Sequence, residues 1–215
     1  MKTIGQRLLT GLSIALAGTL PLVGLFLTIH AATDYDDVPV SLVSDVALPP
    51  AFSLDDVTSD VLWMARCIYS ETKRAEEQEL VAWVVRNRVE TGYRGQHSYE
   101  DVVLDPYQFS AFNPGNPKRR LYTTLAPSLD SPAFVQALEV AHSVYYAQPT
   151  ARPFSEKTRH FYSERSMVGG KAPNWSAGHA PVRPTGFRVD PKRFRFYSGV
   201  ATPLPMSVPA AGLAL

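Results

Sequence analysis

The 215-residue chain holds one cysteine, Cys67. A lone thiol excludes an intrachain disulfide, so no covalent staple supports the fold. The five histidines stand at 30, 97, 142, 160 and 179, without a close His-x3-His pair, and there is no Cys-x2-Cys pair. Those spacings mark zinc sites, so no metal is expected, and no cofactor either. Neither a Gly-rich phosphate loop nor an interleaved run of basic and aromatic residues occurs, which leaves no local signature of nucleotide or nucleic-acid binding. The chain also lacks internal repeats.

What is present begins with an apolar run. Lys2 and Arg7 give a positive start, and the 22 residues from Leu8 to Ile29 carry no charge. As a helix they span roughly 33 Å, enough for a bilayer core, and more than the apolar region of a cleaved signal. Pro21 is tolerated in such helices. Ala31 and Ala32 offer a weak cleavage site. The expectation is an uncleaved anchor in the inner or cytoplasmic membrane through residues 8–29, with secretion after cleavage near residue 32 as the alternative. Either places the rest of the chain in the periplasm or otherwise outside the cytoplasmic membrane, because the positive end stays inside.

Residues 30–56 carry six aspartates and no lysine or arginine, and with Pro39, Pro49 and Pro50 they read as an extended acidic linker. Residues 57–198 read as the folded domain, large enough for its own core. Residues 199–215, rich in Pro and Ala, read as a disordered tail. From residue 57 onward there are 19 Lys plus Arg against 14 Asp plus Glu. That positive excess suits an anionic polymer; nucleic acid is not expected as the partner of an exported chain.

Within 57–198 two helical patterns meet at one glutamate. Val61, Ala65 and Ile68 make a stripe over Asp60–Tyr69, and Leu80, Val81, Val84 and Val85 make another over Glu76–Val89. Gly92 is placed to cap the second helix. Tyr99–Leu104 predicts a short helix or turn. Ser131-Pro132 opens a third helix that runs to Tyr146. His160–Tyr162 and Arg193–Tyr197 read as strands separated by a Gly- and Pro-rich loop holding Trp175. The class expected is α+β, helical first with a small late sheet.

Glu71 follows the apolar run Cys67-Ile68-Tyr69. A carboxylate held against apolar side chains loses hydration and favours its protonated form, and such a group serves as a general acid near neutral pH. The plainer reading is a solvated charge at a helix end.

The motifs around Glu71 resemble those of the SleB-type (spore-cortex-lytic) cell-wall hydrolase family. The opening is Met64-Ala65-Arg66-Cys67-Ile68-Tyr69-Ser70-Glu71-Thr72-Lys73-Arg74. Val81-Ala82-Trp83-Val84-Val85-Arg86-Asn87-Arg88-Val89, Gln108-Phe109-Ser110, Thr158-Arg159-His160-Phe161-Tyr162, Pro173-Asn174-Trp175 and Phe196-Tyr197 follow in the family's order. Thr72 stands where the family has a small residue, and Arg159 intrudes into the late motif. Pro114–Ala151 carries no resemblance. The resemblance implies a lysozyme-like helical core and cleavage of peptidoglycan between MurNAc and GlcNAc. Its mechanism would be that of a lytic transglycosylase, with Glu71 as the single catalytic carboxylate.

A lysozyme-type hydrolase needs a second carboxylate. Asp101 and Asp105 are the available ones, though both also read as helix-start and turn acids. Gln108 and Ser110 flank Phe109 and share one side of an extended stretch. They are candidates for binding sugar hydroxyls, or form a polar turn that packs Phe109. Asn87 is polar on an apolar helix, a candidate for orienting Glu71 or for a structural bond. Tyr162, Trp175 and Tyr197 are candidate sugar-stacking aromatics, Trp175 first, against the commoner role of core packing. Cys67 with His160 or His179 leaves a Cys/His wall endopeptidase as a rival, the plainer reading of Cys67 being a small buried residue. A non-catalytic peptidoglycan-binding module is the other alternative.

Overall fold

The computed structural model describes residues 50–201. Helix α1 (Ser59–Glu71) starts where the Thr58 hydroxyl accepts the Val61 N–H at 3.3 Å. Helix α2 (Ala75–Glu90) follows after a three-residue link. Gly92 ends it with φ 57°, in the left-handed region. A Cβ at that position would lie 2.6 Å from His97 Cε1, so the left-handed backbone favours glycine there and a larger residue would have to displace the exposed His97 ring. Then come α3 (Tyr99–Leu104), α4 (Arg119–Thr123) and α5 (Pro132–Tyr146). Pro132 takes the first turn of α5, where its missing N–H has no intrahelical partner to lose.

Helix α1 packs on α5, α2 and α3. The stripe Val61, Met64, Ala65 and Ile68 is wholly buried against Leu80, Val81, Val84 and Val85 of α2 and Phe134, Ala137, Leu138 and Ala141 of α5. Each large side chain so buried contributes about 1.5–3 kcal/mol before conformational entropy is counted. The late part of the chain forms a two-stranded antiparallel sheet, β1 (Thr158–Tyr162) and β2 (Arg195–Ser198). Phe161 pairs with Phe196 and Tyr162 with Arg195. Val182 bridges Phe196 on its other side. The β1 pattern is strictly alternating, with Thr158, His160 and Tyr162 buried, and these face α2 and the aromatic cluster of Tyr197 and Trp175.

Two expectations are corrected. The described residues form a mixed α+β core with a short two-stranded antiparallel sheet, and this takes the place of the lysozyme-like helical core. The physical reason is the composition after residue 147. Proline and glycine at 149, 153, 169, 170, 173, 178, 181, 184 and 186 break regular structure. Only four or five residues at a time then hold strand geometry. Secondly, no helix among the described residues is long and apolar enough to cross a membrane, so the membrane-anchored localisation and the labels of signal-anchor and transmembrane helix find no support there. Segment 1–29, the membrane contact assigned to residues 8–29 and the cleavage site near residue 32 lie outside the described residues. Helix α4 was not legible: its five residues are too few to show a period.

Candidate active site

Glu71 is the last residue of α1, and the link behind it is fixed from both sides. Thr72 turns to an extended backbone (φ −157°, ψ 160°) while its N–H still donates to Ile68 O at 3.1 Å. The Thr72 hydroxyl donates to Glu77 Oε2 at 2.6 Å, and Gln78 Nε2 donates to Thr72 O at 2.9 Å. Thr72 is thus a buried bracket between the two helices. It leaves the Glu71 side chain directed into a cavity of about 470 Å³.

Glu71 is half-buried. Among the described residues nothing hydrogen-bonds its carboxyl. Burial raises its pKa from the ordinary 4.5 to about 7, against an opposing pull from the Arg88 guanidinium. Arg88 is itself buried, donates from Nε to Arg159 O at 2.8 Å, and lies over the rings of Phe109 and Tyr93 at 4.9 and 5.2 Å. A carboxyl that exchanges its proton near pH 7 and faces open space has the properties of a proton donor to a bound substrate.

Gln108 and Ser110 line the same cavity, while Phe109 between them is buried. The alternation read from the sequence therefore serves both ends: the aromatic packs inward and the two polar side chains face Glu71's cavity. Tyr162 lines it from the end of β1. Asn87 does not. It is fully buried, and its Nδ2 donates to Thr158 O at 2.9 Å and Ser155 O at 3.3 Å, tying α2 to β1. Trp175 is also outside the cavity lining. It is half-buried with its ring centroid 5.1 Å from His160, 5.3 Å from Tyr197 and 6.0 Å from Tyr162.

No second carboxylate joins Glu71 in the lining. Asp101 sits in the first turn of α3 and is bonded to the Ser98 hydroxyl at 2.7 Å. Asp105 is buried and paired with Arg94 at 2.6 Å. Cys67 is fully buried, and burial, with Glu71 nearby, pushes its thiol well above the ordinary value. No hydrogen bond joins it to an imidazole among the described residues. A thiol so placed is neither ionised nor reachable, which removes the geometry a Cys/His endopeptidase requires. His160 Nε2 lies 2.9 Å from the Tyr93 hydroxyl, and burial lowers its pKa to about 4.

Tyr107, Asn113, Arg165 and Arg193 are among the lining residues that sequence reasoning did not assign to the site. Arg165 pairs with Asp190 at 2.8 Å, and Arg193 pairs with Glu77. Tyr107 and Asn113 flank the Gln108 motif closely enough that the turn chemistry of Asp105-Pro106 was an available signal. Arginines 94 and 122 residues beyond Glu71 carried none. A second cavity, about 490 Å³, is lined by Pro181, Val182, Phe187, Phe194, Phe196 and three arginines among others. It holds no acid, base or nucleophile apart from guanidinium groups, which do not give up protons.

No family model, no curated protein and no solved structure matches this chain. The comparisons therefore supply nothing for the labels glycosidase or lytic transglycosylase, and the functional reading rests on the residues themselves.

Proposed function

We propose that the domain cleaves peptidoglycan glycan strands between MurNAc and GlcNAc, with Glu71 as its one proton-transferring group. The observation that carries the proposal is a single carboxyl, titrating at about 7, in a cavity lined by no second carboxylate. The resemblance of Met64–Val89 and Gln108–Ser110 to SleB-type cell-wall hydrolases points the same way.

One carboxyl suffices for a transglycosylase route. Protonated Glu71 gives its proton to the glycosidic oxygen, and the bond from muramoyl C1 to that oxygen breaks. The resulting carboxylate then takes the proton from the muramoyl C6 hydroxyl, whose oxygen bonds to C1. Glu71 is reprotonated, a 1,6-anhydro ring is formed, and no water is consumed. The internal hydroxyl is already tethered beside C1, at high effective concentration. Hydrolysis would need a second carboxylate to activate water or form a covalent intermediate.

Zymography on purified peptidoglycan tests the assignment, wild type against Glu71→Gln. Lysis by wild type and none by the folded variant is the expected result; lysis by both removes Glu71 from the reaction. Mass spectrometry of the soluble products tests the route, because anhydro ends lack one water relative to hydrolysed ends. A digest holding only reducing muramoyl ends overturns the transglycosylase step and leaves glycan cleavage standing.

A further inference from the structure

We propose that Tyr107 is a sugar-stacking subsite at the mouth of the Glu71 cavity, receiving the apolar face of a pyranose ring of the bound strand. This rests on the glycan-cleaving reading above. The chain turns at Asp105-Pro106-Tyr107-Gln108, closed by the Gln108 N–H to Asp105 O at 3.2 Å. Tyr107, third in the turn, has φ 65°. That pattern, Pro second and positive φ third, is the type II turn, where the third position calls for Gly or Asn. A tyrosine there is strained.

The ring contributes little to the core, since Tyr107 is 83% exposed. Yet the conformation is held: the Tyr107 N–H donates to Asn113 Oδ1 at 2.8 Å, and Asn116 Nδ2 donates to Ser110 O at 2.8 Å. A strained backbone that presents an exposed aromatic beside a titrating acid costs stability and returns none through packing. Its neighbours decide what it receives. Gln108, Ser110, Asn113, Ser163 and Ser166 line the same cavity, a set of neutral donors and acceptors that fits ring hydroxyls and acetamido groups. Aromatic rings take the C–H face of a sugar while such groups bond its edge.

The test is binding, separated from turnover. In the full-length chain carrying Glu71→Gln, affinity for purified peptide-free glycan strands is measured by calorimetry, alone and with Tyr107→Phe or Tyr107→Asn added. Asparagine accepts the turn's backbone, so the melting temperature should hold or rise; Tyr107→Gly serves if the Asn variant folds poorly. The expected result is affinity within about twofold of the parent for Phe, and about tenfold weaker for Asn. Parental affinity in the Asn or Gly variant overturns the subsite alone. Equal loss in Phe and Asn overturns stacking in favour of a hydroxyl bond. No binding by the Glu71→Gln parent overturns the subsite together with the glycan reading; zymography of wild type reports on that reading separately.

Discussion

Arg193 holds Glu77 by both carboxylate oxygens, Nε to Oε1 at 2.5 Å and Nη2 to Oε2 at 2.8 Å, across 116 residues of chain. The pair joins the first turn of α2 to the segment leading into β2, and Thr72 bonds the same carboxylate. One wall of the Glu71 cavity is therefore latched to the helix link that positions Glu71. Arg193→Met should destabilise the domain by about 1–3 kcal/mol, below the range for fully buried pairs because Arg193 is partly exposed. Lysis should fall with it. Denaturant melts check the first, and a rate assay under conditions where the variant stays folded checks the second.

Glu71 ties stability to pH with a definite sign. Its folded pKa, about 7, lies above the ordinary 4.5, so the folded state binds its proton more tightly than the unfolded state does. The stabilisation is complete below pH 4.5 and is lost as pH rises through about 7. Glu71→Gln should match wild type near pH 4 and exceed it by about 1–3 kcal/mol at pH 8, water in the cavity reducing the full shift. Lytic rate should decline tenfold per pH unit above about 7. Urea melts at both pH values and a pH–rate profile check the two statements.

His160 acts in the opposite direction. Its pKa is lowered to about 4 by burial, then by Arg88, Arg159 and His179; Tyr93 and Trp175 cover its ring. Its contribution is present above pH 6.5 and lost as pH falls through about 4. His160→Gln should flatten the acid limb of the stability curve by up to about 3 kcal/mol, a difference that thermal melts from pH 7 to 4 will register.

Cys67→Ala should leave the rate of lysis near wild type, since the thiol is a buried neutral group. The cost should be about 1 kcal/mol, in keeping with removal of one small core atom. Loss of turnover with an unchanged melting curve would instead revive thiol chemistry.

The long helices were legible because their periods are long and clean. Val61, Ala65 and Ile68 on α1, and Leu80, Val81, Val84 and Val85 on α2, are all fully buried, and α5 begins at the proline that announced it. Gln108 and Ser110 reached Glu71's cavity by the alternation that buried Phe109. Asn87 and Trp175 did not, for a shared reason. A polar or aromatic side chain in a motif is recognisable, but the partner that absorbs it is set by tertiary contacts: Thr158 for Asn87, and the His160–Tyr197 cluster for Trp175. Arg66 and Arg86, which look chemical in the motif, serve the backbone carbonyls of Leu125, Val144 and Ala147. Arg165 and Arg193 enter the site through long-range folding that no local spacing encodes.

Glu71 also closes α1 as its final residue, and that places it at the negative pole of the helix dipole. Peptide dipoles aligned along α1 present partial negative charge there, which disfavours an ionised neighbour by about 0.3–1 kcal/mol at an exposed site. In the proposed cycle the residue is ionised only between its two proton transfers. The helix that carries the acid thus sharpens its hunger for the second proton. In that proposed cycle the helix end would favour, by this small amount, the step in which Glu71 takes a proton back.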